Sequence, residues 1–176
     1  MDIFTQQLVN GLVLGSIYAL VALGYTMVYG ILELINFAHG EVTMIGAMVA
    51  LTVIGVLVGV APEQPGILVV LGGILVAIPA CMLLAFGIEK IAYRPLRKAP
   101  RLAPLITAIG VSIILQNLAM LIWGRQYVSF PEILPTTKFE FLGAHISLLQ
   151  ISIVVLAFTI MAGLWLLVEK TRLGRA

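Results

Sequence analysis

Glu33, His39 and Glu41 fall within the twelve residues Gly30–Glu41, between two long apolar runs and with no Lys or Arg among them. Asn36 adds an amide to the same stretch. A solvated linker between such runs would ordinarily carry a cation. Its absence points to a partly embedded segment, broken or re-entrant, whose free backbone groups line protein or water. Ionisable groups at membrane depth are costly and are kept where a polar solute, a proton or an ion must be handled. The alternative for this stretch is an interfacial turn with solvated acids. A second polar set, Thr107, Ser112, Gln116 and Asn117, interrupts a later apolar run. Ser112 and Gln116 are one helical turn apart and share a face. Their amide and hydroxyl groups must meet other helices or an aqueous path, because lipid cannot satisfy them.

Other chemistries find no footing. The sequence holds no phosphate-cradling glycine loop, no nucleophile elbow and no metal-ligand motif. His39 and His145 are far apart, with no cysteine or paired acid at ligand spacing, so neither a metal nor another cofactor is expected. Cys81 lies alone in an apolar run and reads as a small packing residue. The net charge of +2 carries no aromatic-and-basic stripe, which argues against nucleic-acid binding.

The elements that must hold these residues are membrane spans. Hydrophobic residues make up 61% of the 176 and charged residues 10%, against roughly a quarter charged in soluble domains. Only lipid could cover that much apolar surface. Five segments of 19 or more residues are long enough to cross a bilayer: about 8–29, 42–60, 67–88, 102–123 and 148–168. Each is expected to be helical, since backbone amides in lipid must be satisfied within the segment. The fold class is therefore all-α, a polytopic bundle of about five spanning helices plus the break near 30–41, in one transmembrane domain over 1–176.

Eight of the ten cationic side chains lie in two clusters, Lys90–Arg101 and Lys170–Arg175. Short loops rich in Lys and Arg remain cytoplasmic. Alternation then puts the N-terminus and the loop 124–147 outside and the C-terminal end inside, and the two clusters agree under five crossings. In the first span Gly11, Gly15, Tyr18, Ala22, Tyr25 and Tyr29 share one helical face. Gly11 and Gly15 form a GxxxG, the pattern for close helix packing. Tyr18 and Tyr25 could in addition lend hydroxyls to a neighbouring pathway. Trp123 and Tyr127 fall where an interfacial aromatic belt would be, and Pro79 should kink the third span. The outer loop, with alternating Lys138-Phe139-Glu140-Phe141, suits either a short hairpin or a capping loop. The inner loop Glu89–Arg101 is polar and broken by proline, so it is expected to stay out of the bilayer.

Several motifs together resemble one family. They are Gly15-Ser16-Ile17-Tyr18-Ala19-Leu20, Gly24-Tyr25-Thr26-Met27-Val28-Tyr29-Gly30-Ile31 and Ile35-Asn36-Phe37-Ala38-His39-Gly40-Glu41. Later come Tyr93-Arg94-Pro95-Leu96-Arg97, Ile109-Gly110-Val111-Ser112 with Gln116-Asn117, and Thr171-Arg172-Leu173-Gly174-Arg175-Ala176. The set is similar to the permeases of high-affinity branched-chain amino-acid ABC importers, with urea-type ABC permeases near neighbours. The resemblance implies a non-catalytic inner-membrane subunit that helps carry leucine, isoleucine or valine. Its implied partners are a second permease, two ATP-binding subunits and a periplasmic binding protein. It marks Asn36, His39, Glu41, Tyr18, Tyr25 and Gln116 as candidates for the translocation path, and Arg94, Arg97 and Arg172 as candidate contacts for the ATP-binding subunits. Members are longer than 176 residues, so the chain is expected to be the N-terminal portion of such a permease. Two other readings stay open: a self-sufficient ion-coupled channel or carrier built on Glu33, His39 and Glu41, and a fragment with an assembly role.

Overall fold

In the computed structural model the described residues are 2–32, 36–60, 63, 65–96, 99–100, 102–131, 138–141 and 144–170. The apolar runs fold as five helices: α1 (Asp2–Leu32), α2 (His39–Val60), α3 (Gly66–Ile88), α4 (Leu102–Trp123) and α5 (Leu148–Lys170). All five are long and apolar enough to cross a membrane. The all-α, five-span reading holds, with each helix covering its expected span and α1 starting six residues earlier. The outer loop supplies one antiparallel hairpin, β1 (Lys138–Phe141) with β2 (Ala144–Ser147), pairing Glu140 with His145.

Two boundaries differ from the sequence reading. The break near 30–41 is shorter than twelve residues, because α1 continues to Leu32 and α2 already begins at His39. Glu33 lies outside the described residues. The polar stretch after Ile88 does not leave the helix at once: it winds through a π turn (Glu89–Tyr93) and a 3₁₀ turn (Arg94–Leu96). Lys90, exposed there, sets its ammonium 5.7 Å from the Phe86 ring centre. Pro79 lies inside α3, whose helix runs through it.

The sequence is read as one transmembrane domain; the described residues form two compact units, 28–133 and 1–27 with 134–176. In the first of these, α2 and α3 form a tight antiparallel pair. A Cβ built on Gly73 would stand 2.8 Å from Ile54 Cγ1, and one on Gly46 would stand 2.6 Å from Cys81 Sγ. Only glycine allows that approach. Ile54 is the largest fully buried side chain of the structure's described core, and Cys81 takes the packing role expected of it, its thiol 3.6 Å from the Val42 carbonyl. α4 runs parallel to α2: Glu41 is bonded to Ser112 and Gln116, and farther along the Trp123 indole donates to Thr52 at 2.7 Å. α4 then stops at Gly124, whose φ of +82° is the left-handed cap glycine tolerates best.

The other unit joins elements distant in sequence. Gln6 Oε1 accepts from the His145 amide at 2.8 Å, and Gln6 Nε2 donates to the His145 carbonyl at 3.3 Å. The side-chain amide thus pairs with the free edge of β2 as a neighbouring strand would. One turn on, Gln150 Nε2 donates to Asn10 Oδ1 at 3.1 Å. Because 6 meets 145 and 10 meets 150, α1 and α5 start at the same end and run parallel, as first and fifth spans must. Ser147 and Gln150 form a reciprocal capping box that turns β2 into α5, with bonds of 3.0 and 3.2 Å. Replacing Gln6 with leucine is expected to speed hydrogen exchange at the His145 amide by about fivefold, reading the loss of one bond of about 1 kcal/mol. Unchanged exchange would show that another group holds the hairpin.

The packing role expected of Gly11 and Gly15 is not filled within this unit, where a Cβ at either meets nothing within 4 Å. The close seam is at Gly46 and Gly73 instead, because there a bulky or polarisable neighbour, Ile54 or Cys81, fills the gap.

Candidate functional site

The break between α1 and α2 is organised by Asn36. Its side-chain oxygen accepts from the Ala38 amide at 3.0 Å, and its backbone carbonyl accepts from the His39 amide at 3.1 Å. These are the local bonds by which asparagine replaces helix with turn. Ala38, buried, then accepts the first bond of α2, from Val42. The same Asn36 oxygen accepts a 2.6 Å bond from the buried hydroxyl of Tyr93, which the π turn after α3 presents. One oxygen therefore fixes the turn and ties it to α3.

One turn into α2 stands Glu41. Its Oε1 accepts from Ser112 Oγ at 3.0 Å and from Gln116 Nε2 at 2.7 Å. The common face expected for Ser112 and Gln116 is the face that meets this carboxylate. Glu41 also lies in the first turn of its helix, where the exposed amide dipoles favour negative charge. Ser112 and Gln116 are the eleventh and fifteenth of the 22 residues of α4. At about 1.5 Å per residue, Glu41 sits some 15–21 Å along α4 from Leu102. Glu41 thus lies opposite the middle of α4, while Asn36, ahead of α2, is tied to Tyr93 in the polar stretch that follows α3.

Of the residues singled out from the sequence, the structure joins Glu41, Ser112 and Gln116, and places Asn36 in the turn ahead of α2, bonded to Tyr93. His39 opens α2 beside them, half-buried. Tyr18 and Tyr25 belong to the other unit, on α1, where Tyr18 is exposed. Asn117 bonds back to the Ile113 carbonyl of its own helix at 2.8 Å and takes no part. Arg94 is exposed in the 3₁₀ turn; Arg97 and Arg172 lie outside the described residues. The residue missed is Tyr93, and a tyrosine just past an apolar run gives no sign that it faces inward. Among the described residues no group of three His, Cys, Asp or Glu could hold a metal ion.

The single bond from Tyr93 can be weighed directly. Tyr93→Phe is expected to lower thermal stability by about 1 kcal/mol. Asn36→Ala, which removes the turn bond as well, should cost about twice that. Equal effects would mean that the turn does not depend on the side chain.

The family model described as "Branched-chain amino acid transport system / permease component" matches residues 7–176. The high-affinity branched-chain amino acid transport system permease protein BraD of Pseudomonas aeruginosa is 46% identical over 98% of the chain. The corresponding LivH proteins of Escherichia coli K12 and Salmonella typhimurium are 42% identical over the same share. The chain spans 57% of the length of each of these relatives. No solved structure matches. A match running through all five spans and the Asn36–Glu41 break shows that the chain belongs to the family of branched-chain amino acid transport permease components.

Proposed function

We propose that this chain is part of a non-catalytic, membrane-spanning permease subunit of an ATP-driven importer of leucine, isoleucine and valine. The observation that carries the reading is the family match over 7–176, which includes every spanning helix and the polar break between α1 and α2. The working complex would add a second permease, two ATP-binding subunits and a periplasmic binding protein. The basic inner segments support an orientation with the N-terminus outside and the end of α5 in the cytoplasm of a bacterial inner membrane. Arg94, Arg97 and Arg172 would then face the ATP-binding subunits. Asn36, His39, Glu41 and Gln116 would border the path, with Tyr18 and Tyr25 contributing from α1.

The test is uptake of labelled leucine by the complete protein, reconstituted with its genomic neighbours in proteoliposomes. Uptake that needs both ATP and the binding protein is the expected result. Uptake driven by a proton gradient and indifferent to ATP would favour the ion-coupled carrier, and preference for urea would move the substrate class.

A further inference from the structure

We infer that Glu41 binds the ammonium group of the amino acid as it passes, with Oε1 holding the carboxylate in place and Oε2 making the contact. The inference rests on the permease reading and names the chemistry of one of its path residues. Both neutral donors, Ser112 Oγ and Gln116 Nε2, converge on the same oxygen, Oε1. Among the described residues no donor reaches Oε2, and no cation lies within ion-pair distance of the carboxylate. Nor is Oε2 sealed away, since among the described residues no fully buried side-chain oxygen lacks a partner.

The placement makes this unusual. A carboxylate held only to neutral donors, opposite the middle of a spanning helix, is expensive to keep. If its sole task were to join α2 to α4, a glutamine would accept the same two bonds without the charge. The open oxygen is instead a strong acceptor suited to a charged donor, and charge-assisted bonds are about twice as strong as neutral ones. An amino acid presents such a donor in its ammonium. Asn36 and Tyr93 hold the turn ahead of α2, and the pair of donors from α4 fixes the rotamer. The carboxylate is thus pre-positioned and little ordering is needed when the solute arrives. One contact of this kind is weak enough to release its cargo, which a path requires.

Glu41→Gln separates the two roles, because the amide oxygen still accepts from Ser112 and Gln116 while the negative charge is gone. In the complete reconstituted importer this variant should co-purify with the ATP-binding subunits and lose about tenfold in leucine uptake, the difference between a charged and a neutral bond. Wild-type uptake in Glu41→Gln would overturn the inference. Wild-type protein that takes up no leucine would instead overturn the permease reading. A second measurement uses only wild-type protein: carbodiimide labelling of Glu41, followed by peptide mass. Leucine should slow the labelling, whereas 4-methylpentanoate, which has the same side chain and carboxylate but no ammonium, should not. Equal protection by 4-methylpentanoate, or equal protection by sodium chloride at the same concentration, would rule out an ammonium site.

Discussion

Replacing Gly73 with leucine in the complete protein is expected to abolish its accumulation in the membrane. A first carbon at this position meets Ile54 Cγ1 at 2.8 Å, Ile54 Cδ1 at 2.9 Å and the Ala50 carbonyl oxygen at 3.2 Å. Ile54 is fully buried and β-branched, so it cannot swing aside, and the Ala50 carbonyl belongs to the α2 backbone. One added methyl in such a seam costs roughly 1–3 kcal/mol. Leucine adds three more carbons and would separate α2 from α3, against a total stability of about 5–15 kcal/mol for a typical domain. Gly73→Ala should be intermediate, and Ile54→Ala in that background should restore part of the loss. Immunoblots of membrane fractions and thermal unfolding provide the readouts. Gly11→Leu gives the contrast, because nothing in its own unit opposes a side chain there. Normal accumulation of Gly73→Leu would mean that the seam can open at little cost.

The second large effect is expected from Ser112→Ala combined with Gln116→Leu. Hydrogen bonds to charged groups contribute about 1.5–3 kcal/mol each. These two share one acceptor atom and will not add in full. A combined loss of about 3 kcal/mol is the expected result, because the Glu41 carboxylate is left without donors. Adding Glu41→Leu should then recover stability, since the stranded charge is gone and apolar side chains can pack in its place. Leucine uptake should not recover. That divergence tells a packing role from a role in transport. A double variant as stable as the wild type would show that water already satisfies the carboxylate.

The spans were legible because bilayer thickness sets a length that apolar runs either meet or miss. The pairing of Ser112 with Gln116 was legible from their spacing of four. Their partner was not, since helical periodicity says which residues share a face and nothing about which helix that face meets. For the same reason Tyr93 passed unnoticed and the GxxxG at Gly11 and Gly15 drew attention from Gly46 and Gly73. A spacing motif marks a helix able to pack closely; the contact depends on the side chain opposite. The helical extension Glu89–Leu96 was masked by its charges, although the Lys90 stem and the Phe86 ring, four residues apart, suit one helical face. The hairpin was one of two readings for its loop. The capping box Ser147-Leu148-Leu149-Gln150 behind it is a local signal that could have favoured it.

The pairing of α1 with β2 and α5 has a consequence for how the protein is made. Gln6 and His145 are 139 residues apart, and ribosomes add roughly 5–20 residues per second. The first helix therefore leaves the ribosome about 7–28 seconds before its partner exists. During that interval the intervening unit, contiguous in sequence from Val28 to Ile133, can close its glycine seam and clasp Glu41 unaided. Among these five helices, α2 to α4 can therefore pair first, while α1 waits in the bilayer for α5. Agents that slow translation after Ile133 would prolong that wait, leaving Gln6 and Asn10 without their later partners and α1 open to the membrane's quality-control proteases.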